Sequence, residues 1–205
     1  MDPRELGPRQ LDGLREIANI GAGHAATALS QLVHERVMVS VPEIQIVRLE
    51  DVPELLGEPD QVISAVMMKM IGDVTGRTVQ IFPERTASAL VSALTGRQRL
   101  EFPDQFGELE QSALKEVSNI IVAAYVNALA EFMGMMLIIS VPALAIDTAA
   151  AVLTTSYLNS GQEGDFVFAI DTHLSVGSVT EFRAHFLLLP DGASLKVMLR
   201  ALRLS

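Results

Sequence analysis

The feature that most constrains this chain is a duplication. LDGLREIANI at 11–20 is matched by QSALKEVSNI at 111–120, so Glu16, Asn19 and Ile20 recur 100 residues later as Glu116, Asn119 and Ile120. The register survives past these segments, with VSVP at 39–42 facing ISVP at 139–142. One short match could arise by chance, but a match that holds through a helical segment and into a strand marks a duplicated unit. Two units of this length predict one pseudo-two-fold domain over 1–205, with repeats at about 8–99 and 108–204, and not a solenoid, which needs three or more repeats. Further on, the strand ending at Pro83 is aligned with the one ending at Pro190, which puts about seven extra residues of the second half near 160–180.

Each half reads the same way. Gly7-Pro8 starts a long helix, with proline where its missing N–H costs nothing. Leu11, Leu14, Ala18, Ala25, Leu29 and Leu32 follow at helical spacing. The partner helix is predicted over 108–133, with Gly134 as its stop. Strands are predicted at 37–41, 44–49, 62–70 and 75–82, with a turn around Asp73–Gly76, and a helix over 84–94 ends at Gly96. In the second half, strands are predicted at 137–141, 165–172 and 180–189, and a closing helix at 193–202. Helix, strands, helix, taken twice, is an α+β pattern with a largely antiparallel sheet and two long helices.

Both long helices carry a polar stripe: Asp12, Glu16 and Asn19 on the first, Ser112, Glu116 and Asn119 on the second. These are positions i, i+4 and i+7, which fall within about 60° of one another around a helix. A polar stripe on an amphipathic helix is ordinarily just its solvated face. Two features argue for more. Asparagine is a poor helix former, yet it sits mid-helix twice, and its neighbours are small or apolar: Ile20-Gly21-Ala22-Gly23 and Ile120-Ile121-Val122-Ala123.

Composition removes several function classes. The chain has 205 residues, is 49% hydrophobic and carries a net charge of −10. Its mean hydropathy is +0.34. The uncharged stretches 117–130 and 132–146 are split by Glu131, and neither reaches the roughly 20 apolar residues of a membrane span. The charged start MDPRELGPRQ has no apolar signal region, so the chain reads as cytoplasmic. The acidic balance disfavours nucleic acid and anionic lipid. There is no cysteine, which excludes thiolate catalysis and Cys-based zinc sites. Gly21-x-Gly23-x-x-Ala26 has the spacing of a dinucleotide fingerprint but follows a helical segment rather than a strand. The glycines are better explained by close approach of another helix or a partner. His24, His34, His173 and His185 form no metal-ligand pair by spacing.

The duplicated [Asp/Ser]-x3-Glu-x2-Asn pattern resembles that of the CheC, CheX and FliY phosphatases. NIGAGHAATALS at 19–30 is similar to the NIGAG-x-A-A-x-A-[IL]-S run of CheC, with His24 where that family often has Asn. The resemblance spans nearly the whole chain, and the length fits CheC better than FliY, a flagellar switch component with additional domains. It implies hydrolysis of the aspartyl phosphate of a chemotaxis response regulator, CheY. Asn19 and Asn119 would orient the attacking water, Glu16 and Glu116 would pair with the regulator's lysine, and Asp12 and Ser112 would support them. The Mg²⁺ would be the regulator's, leaving this chain with no cofactor of its own. The resemblance also implies binding to the receptor deamidase CheD. A docking module for CheD or a regulator, without turnover, is the alternative.

Overall fold

The computed structural model describes residues 7–97, 102, 104, 106–160, 166–177 and 182–204. Their order is α1 (Pro8–Val33), β1 (Val37–Arg48), a 3-10 turn (Leu49–Asp51), α2 (Val52–Leu56), β2 (Val62–Gly72), β3 (Gly76–Pro83) and α3 (Glu84–Thr95). The second half continues with α4 (Glu108–Met133), β4 (Leu137–Ile139), β5 (Ala143–Thr148), α5 (Ala149–Ser160), β6 (Phe166–Val176), β7 (Phe182–Pro190) and α6 (Gly192–Leu204).

The seven strands form one antiparallel sheet in the order β1-β6-β7-β3-β2-β4, with β5 continuing the edge on β2. The halves therefore exchange strands. β1 of the first half pairs with β6 of the second, and β4 and β5 of the second pair with β2 of the first. The pseudo-two-fold axis passes between the central strands β3 and β7.

Four pairings fix the correspondence of the halves. Met67 lies opposite Ala143 and Val79, and Asp171 lies opposite Glu43 and His185. Position 43 corresponds to 143, 67 to 171 and 79 to 185. This corrects the alignment of Pro83 with Pro190 by one residue, because side chains alternate between sheet faces and a shift of one would exchange the faces. The second half gains four residues before β6 and two more in the turn after it.

Strand alternation gives the sheet two apolar faces. Val66, Met68, Phe82, Phe168, Phe186 and Leu188 face a core closed by α1, α3, α4 and α6. Ile63, Ala65, Ile81, Val167, Ala169 and Leu187 face a second core closed by Val52 of α2 and Ala149, Val152 and Leu153 of α5. α2, β5 and α5 lie outside the elements expected from sequence, and β1 runs as one strand where two were expected. The expected split falls at a real irregularity, since the β1 register shifts between Ser40 and Glu43. In α1, Leu14, Ala18, Ala25 and Leu29 are buried as expected, while Leu11 and Leu32 at its ends are exposed.

Helix ends follow the local signals. α3 and α4 stop at left-handed Gly96 and Gly134, where φ is 67° and 63°. At the start of α4, Glu110 is 2% exposed; its Oε2 accepts the Gly107 N–H at 3.0 Å and its Oε1 accepts from Arg97 at 2.6 Å. α4 is the one helix among the described residues long and apolar enough by composition to span a membrane, and half of its most apolar window is buried in this fold.

Asp191 caps α6, its Oδ1 accepting the Ser194 N–H at 2.8 Å. Its Oδ2 accepts from the Thr75 hydroxyl, tying the β2–β3 turn to the second half. Burial is the largest single influence and raises the Asp191 pKa, but hydrogen bonds from Thr75, Ser194 and Ala193 together outweigh it and hold the carboxyl below its ordinary value. A depressed folded-state pKa contributes stability that is present above the unfolded value and lost as pH falls through the folded one. Asp191→Ala is expected to lower the melting temperature at pH 7, with the difference from wild type shrinking as pH drops below about 4. Melting curves at pH 7, 4 and 2.5 check this; a difference that persists unchanged at pH 2.5 contradicts it.

Candidate functional site

The helices that carry the two stripes pack against each other on one face of the sheet. An axis normal to the sheet that relates α1 to α4 makes them run in opposite directions. Their contact is marked by Gly21, which is buried: a Cβ there would lie 2.6 Å from Cδ1 of Tyr125, 3.0 Å from its Cα and 3.3 Å from the Ala124 carbonyl oxygen. The two backbones meet where the first copy has glycine. Gly23 has nothing within 4 Å of the corresponding position and is exposed.

Tyr125 holds this crossing in place. Its ring stacks on Phe186 of β7 with centroids 5.0 Å apart, and its hydroxyl lies 3.3 Å from Thr172 Oγ1 of β6. Burial pushes its pKa up to about 12, offset in part by the Thr172 hydrogen bond, so it is a neutral anchor. The sequence reading missed Tyr125; the available signal was a lone aromatic hydroxyl in a strongly apolar helix.

With the inner faces so occupied, the stripes point outward. Asp12, Glu16, Asn19, Ser112 and Glu116 are exposed and Asn119 is half-buried. Asp12 makes a 3.5 Å ion pair with Arg15, both side chains well exposed. The other five have no hydrogen bond or ion pair with another described residue. Each helix therefore offers a carboxylate and an amide one turn apart, with side-chain polar atoms uncommitted among the described residues.

The antiparallel crossing separates the stripes. Gly21 faces Tyr125, so Asn19 and Asn119 lie on opposite sides of the contact, roughly 12 Å apart along the helix direction at 1.5 Å per residue. This is two sites of like composition rather than one composite site. They are not equal: Ile20 beside Asn19 is 44% exposed, whereas Ile120 beside Asn119 packs against the core. His24 is exposed on the helix that carries Asn19.

Among the described residues, no group of three or more His, Asp or Glu side chains is placed to hold a metal ion. A 30 Å³ cavity beneath the helices is lined by Leu14, Ile17, Tyr125, Phe168 and other apolar residues. Its lining is almost wholly apolar.

Comparison with known proteins agrees with this arrangement. The CheC-like family model matches residues 10–46 and 109–146, one segment around each stripe. The CheY-P phosphatase CheC of Bacillus subtilis is 32% identical over 196 residues, covering 94% of this chain and 93% of that protein. This chain belongs to the CheC-like family. Within solved structures, Thermotoga maritima FliY superposes with a TM-score of 0.80 at 18% identity, covering 97% of this chain and 98% of that one. The Helicobacter pylori FliM middle domain gives 0.68 at 14% identity, covering 96% and 99%. At those identities the two structures speak for the shared fold alone.

Proposed function

We propose that this CheC-like chain is a phosphatase for the aspartyl phosphate of a CheY-type response regulator, and that it acts through two separate helix stripes. The observation that carries this reading is the pair of outward-facing Glu–Asn sets, Glu16 with Asn19 and Glu116 with Asn119, whose side-chain polar atoms have no partner among the described residues. The family relationship to a CheY-P phosphatase supplies the reaction class.

The chemistry asks little of this chain beyond placement. Acyl-phosphate hydrolysis needs a water in line with the leaving oxygen and compensation of charge on the transferring group. A carboxamide donates and accepts hydrogen bonds without titrating, so Asn19 or Asn119 holds a water in one orientation across the neutral pH range. Glu16 or Glu116, three residues earlier on the same face, pairs with a lysine of the regulator and fixes the helix against it. Asp12 and Ser112 extend each contact by one turn. Charge compensation would be supplied by the regulator's own Mg²⁺, for which this chain need provide no ligand. Positioning of this kind contributes several kcal/mol to lowering a barrier.

Turnover separates this reading from a docking module. The chain is added at one-twentieth of the concentration of a phosphorylated CheY-type regulator in Mg²⁺ buffer, and inorganic phosphate is followed. Release of many phosphates per chain, well ahead of spontaneous decay, is expected. Decay at the spontaneous rate, with the regulator shown to bind, would make the chain a docking module.

A further inference from the structure

The two halves differ in charge on the sheet face away from the long helices. In one half, Glu43, Asp171 and His185 lie side by side across β1, β6 and β7, and His173 and Arg183 face each other in the next row. Asp171 and Glu43 supply the negative charge there, and Asp171 lies 3.6 Å from both histidines. Leu55 and Leu56 of α2 line the remaining cavity of about 140 Å³.

The corresponding row of the other half is Ala143, Met67 and Val79, and the next row sets Lys69 directly opposite Arg77. The position of Asp171 is taken by Met67, and no carboxylate among the described residues pairs with Lys69 or Arg77. Like charges directly opposite on neighbouring strands destabilise a sheet. They stand unopposed in a chain of net charge −10. The same two side chains line an open groove of about 520 Å³ with Met67, Val79, Val141 and Leu189.

The groove has a built wall. Between β4 and β5 the edge departs from regular pairing, and Ser140 takes over: its N–H donates to the Lys69 carbonyl and its Oγ accepts the Lys69 N–H, both at 2.9 Å. This pushes Val141 outward to 85% exposure. Ile71, Met136 and Ile138 at 52%, 66% and 56% exposure extend the apolar surface beyond the groove. Exposed apolar surface of this extent on one sheet edge marks an interaction site more than a small-molecule pocket.

We propose that the Lys69–Arg77 groove docks an acidic amphipathic segment of a partner protein, placing a carboxylate between the two cations and apolar side chains against Met67 and Val141. The partner's carboxylate takes the place that Asp171 fills in the other half.

The probe is a fluorescein-labelled 14-residue amphipathic peptide of leucine and glutamate, with a matched peptide carrying lysine for glutamate. Fluorescence anisotropy on the full chain is expected to show salt-sensitive binding of the acidic peptide and none of the basic one. Lys69→Glu and Arg77→Glu each create an opposite-charge cross-strand pair, so each variant is expected to melt higher than wild type yet bind the acidic peptide at least tenfold more weakly. Phosphate release from a phosphorylated regulator is expected to stay at the wild-type rate in both. No binding of the acidic peptide, equal binding of both peptides, or unchanged binding by the variants overturns the proposal. Self-association of wild type that either variant abolishes, seen by sedimentation velocity, also overturns it by making a second copy of the chain the occupant.

Discussion

Gly21→Val is expected to lower the melting temperature by about 2–12 °C. The added Cβ would meet not a flexible tip but the Tyr125 ring edge and Cα and the Ala124 carbonyl, at 2.6, 3.0 and 3.3 Å. Tyr125 has nowhere to move, because its ring is stacked on Phe186 and its hydroxyl is held near Thr172. The helices must separate instead, exposing part of the core that Leu14, Ile17, Ala18, Val122 and Leu129 close. Overpacking of this kind costs about 1–3 kcal/mol, which in a chain of this size lowers melting by about 2–4 °C per kcal/mol. Valine's better helix propensity returns only a few tenths of a kcal/mol. Gly23→Ala is the control, since that position is open and exposed; alanine there is expected to raise stability by up to about 1 kcal/mol. A Gly21→Val chain that melts with wild type would mean that α1 and α4 are not in the contact described.

The contrast between these two glycines shows what the sequence could say. Close approach of another helix was legible as a possibility from the G-x-G spacing, and it holds at Gly21. Which glycine makes the contact depends on the helix crossing, and this is set by the sheet beneath. Features governed by local chemistry were read well. Pro8 starts α1, Gly96 and Gly134 end their helices in the left-handed conformation, and α4 runs over the expected residues. The outward direction of both stripes also followed from helical periodicity.

Features governed by distant pairing were not legible. Nothing local in Val37–Arg48 says that β1 joins the hairpin of the opposite half. The one-residue error at Pro190 arose because two prolines were matched by type, whereas sheet faces decide the register. α5 was missed because AAAVLTTSYLNS mixes alanine with threonine and shows little periodicity, its buried face being set by the sheet beneath it. The charge contrast between Asp171 and Met67 becomes visible only once the halves are superposed through the sheet. The antiparallel crossing, and with it the separation of the two stripes, was likewise beyond a reading of each helix alone.

Asn19 and Asn119 are the residues whose loss should abolish turnover while sparing the fold. Initial rates of phosphate release are compared for wild type and for the Asn19→Ala, Asn119→Ala double variant at saturating phosphorylated regulator and equal chain concentration. Alanine is a better helix former than asparagine, and neither amide is bonded within the chain among the described residues, so the double variant is expected to melt at or above the wild-type temperature. Glu16 and Glu116 remain, so regulator binding is expected to persist. Loss of an oriented water costs about a hundredfold or more in turnover, so release is expected to fall toward the spontaneous rate. A folded, regulator-binding double variant that releases phosphate as fast as wild type would contradict the assignment of the two stripes as the phosphatase sites.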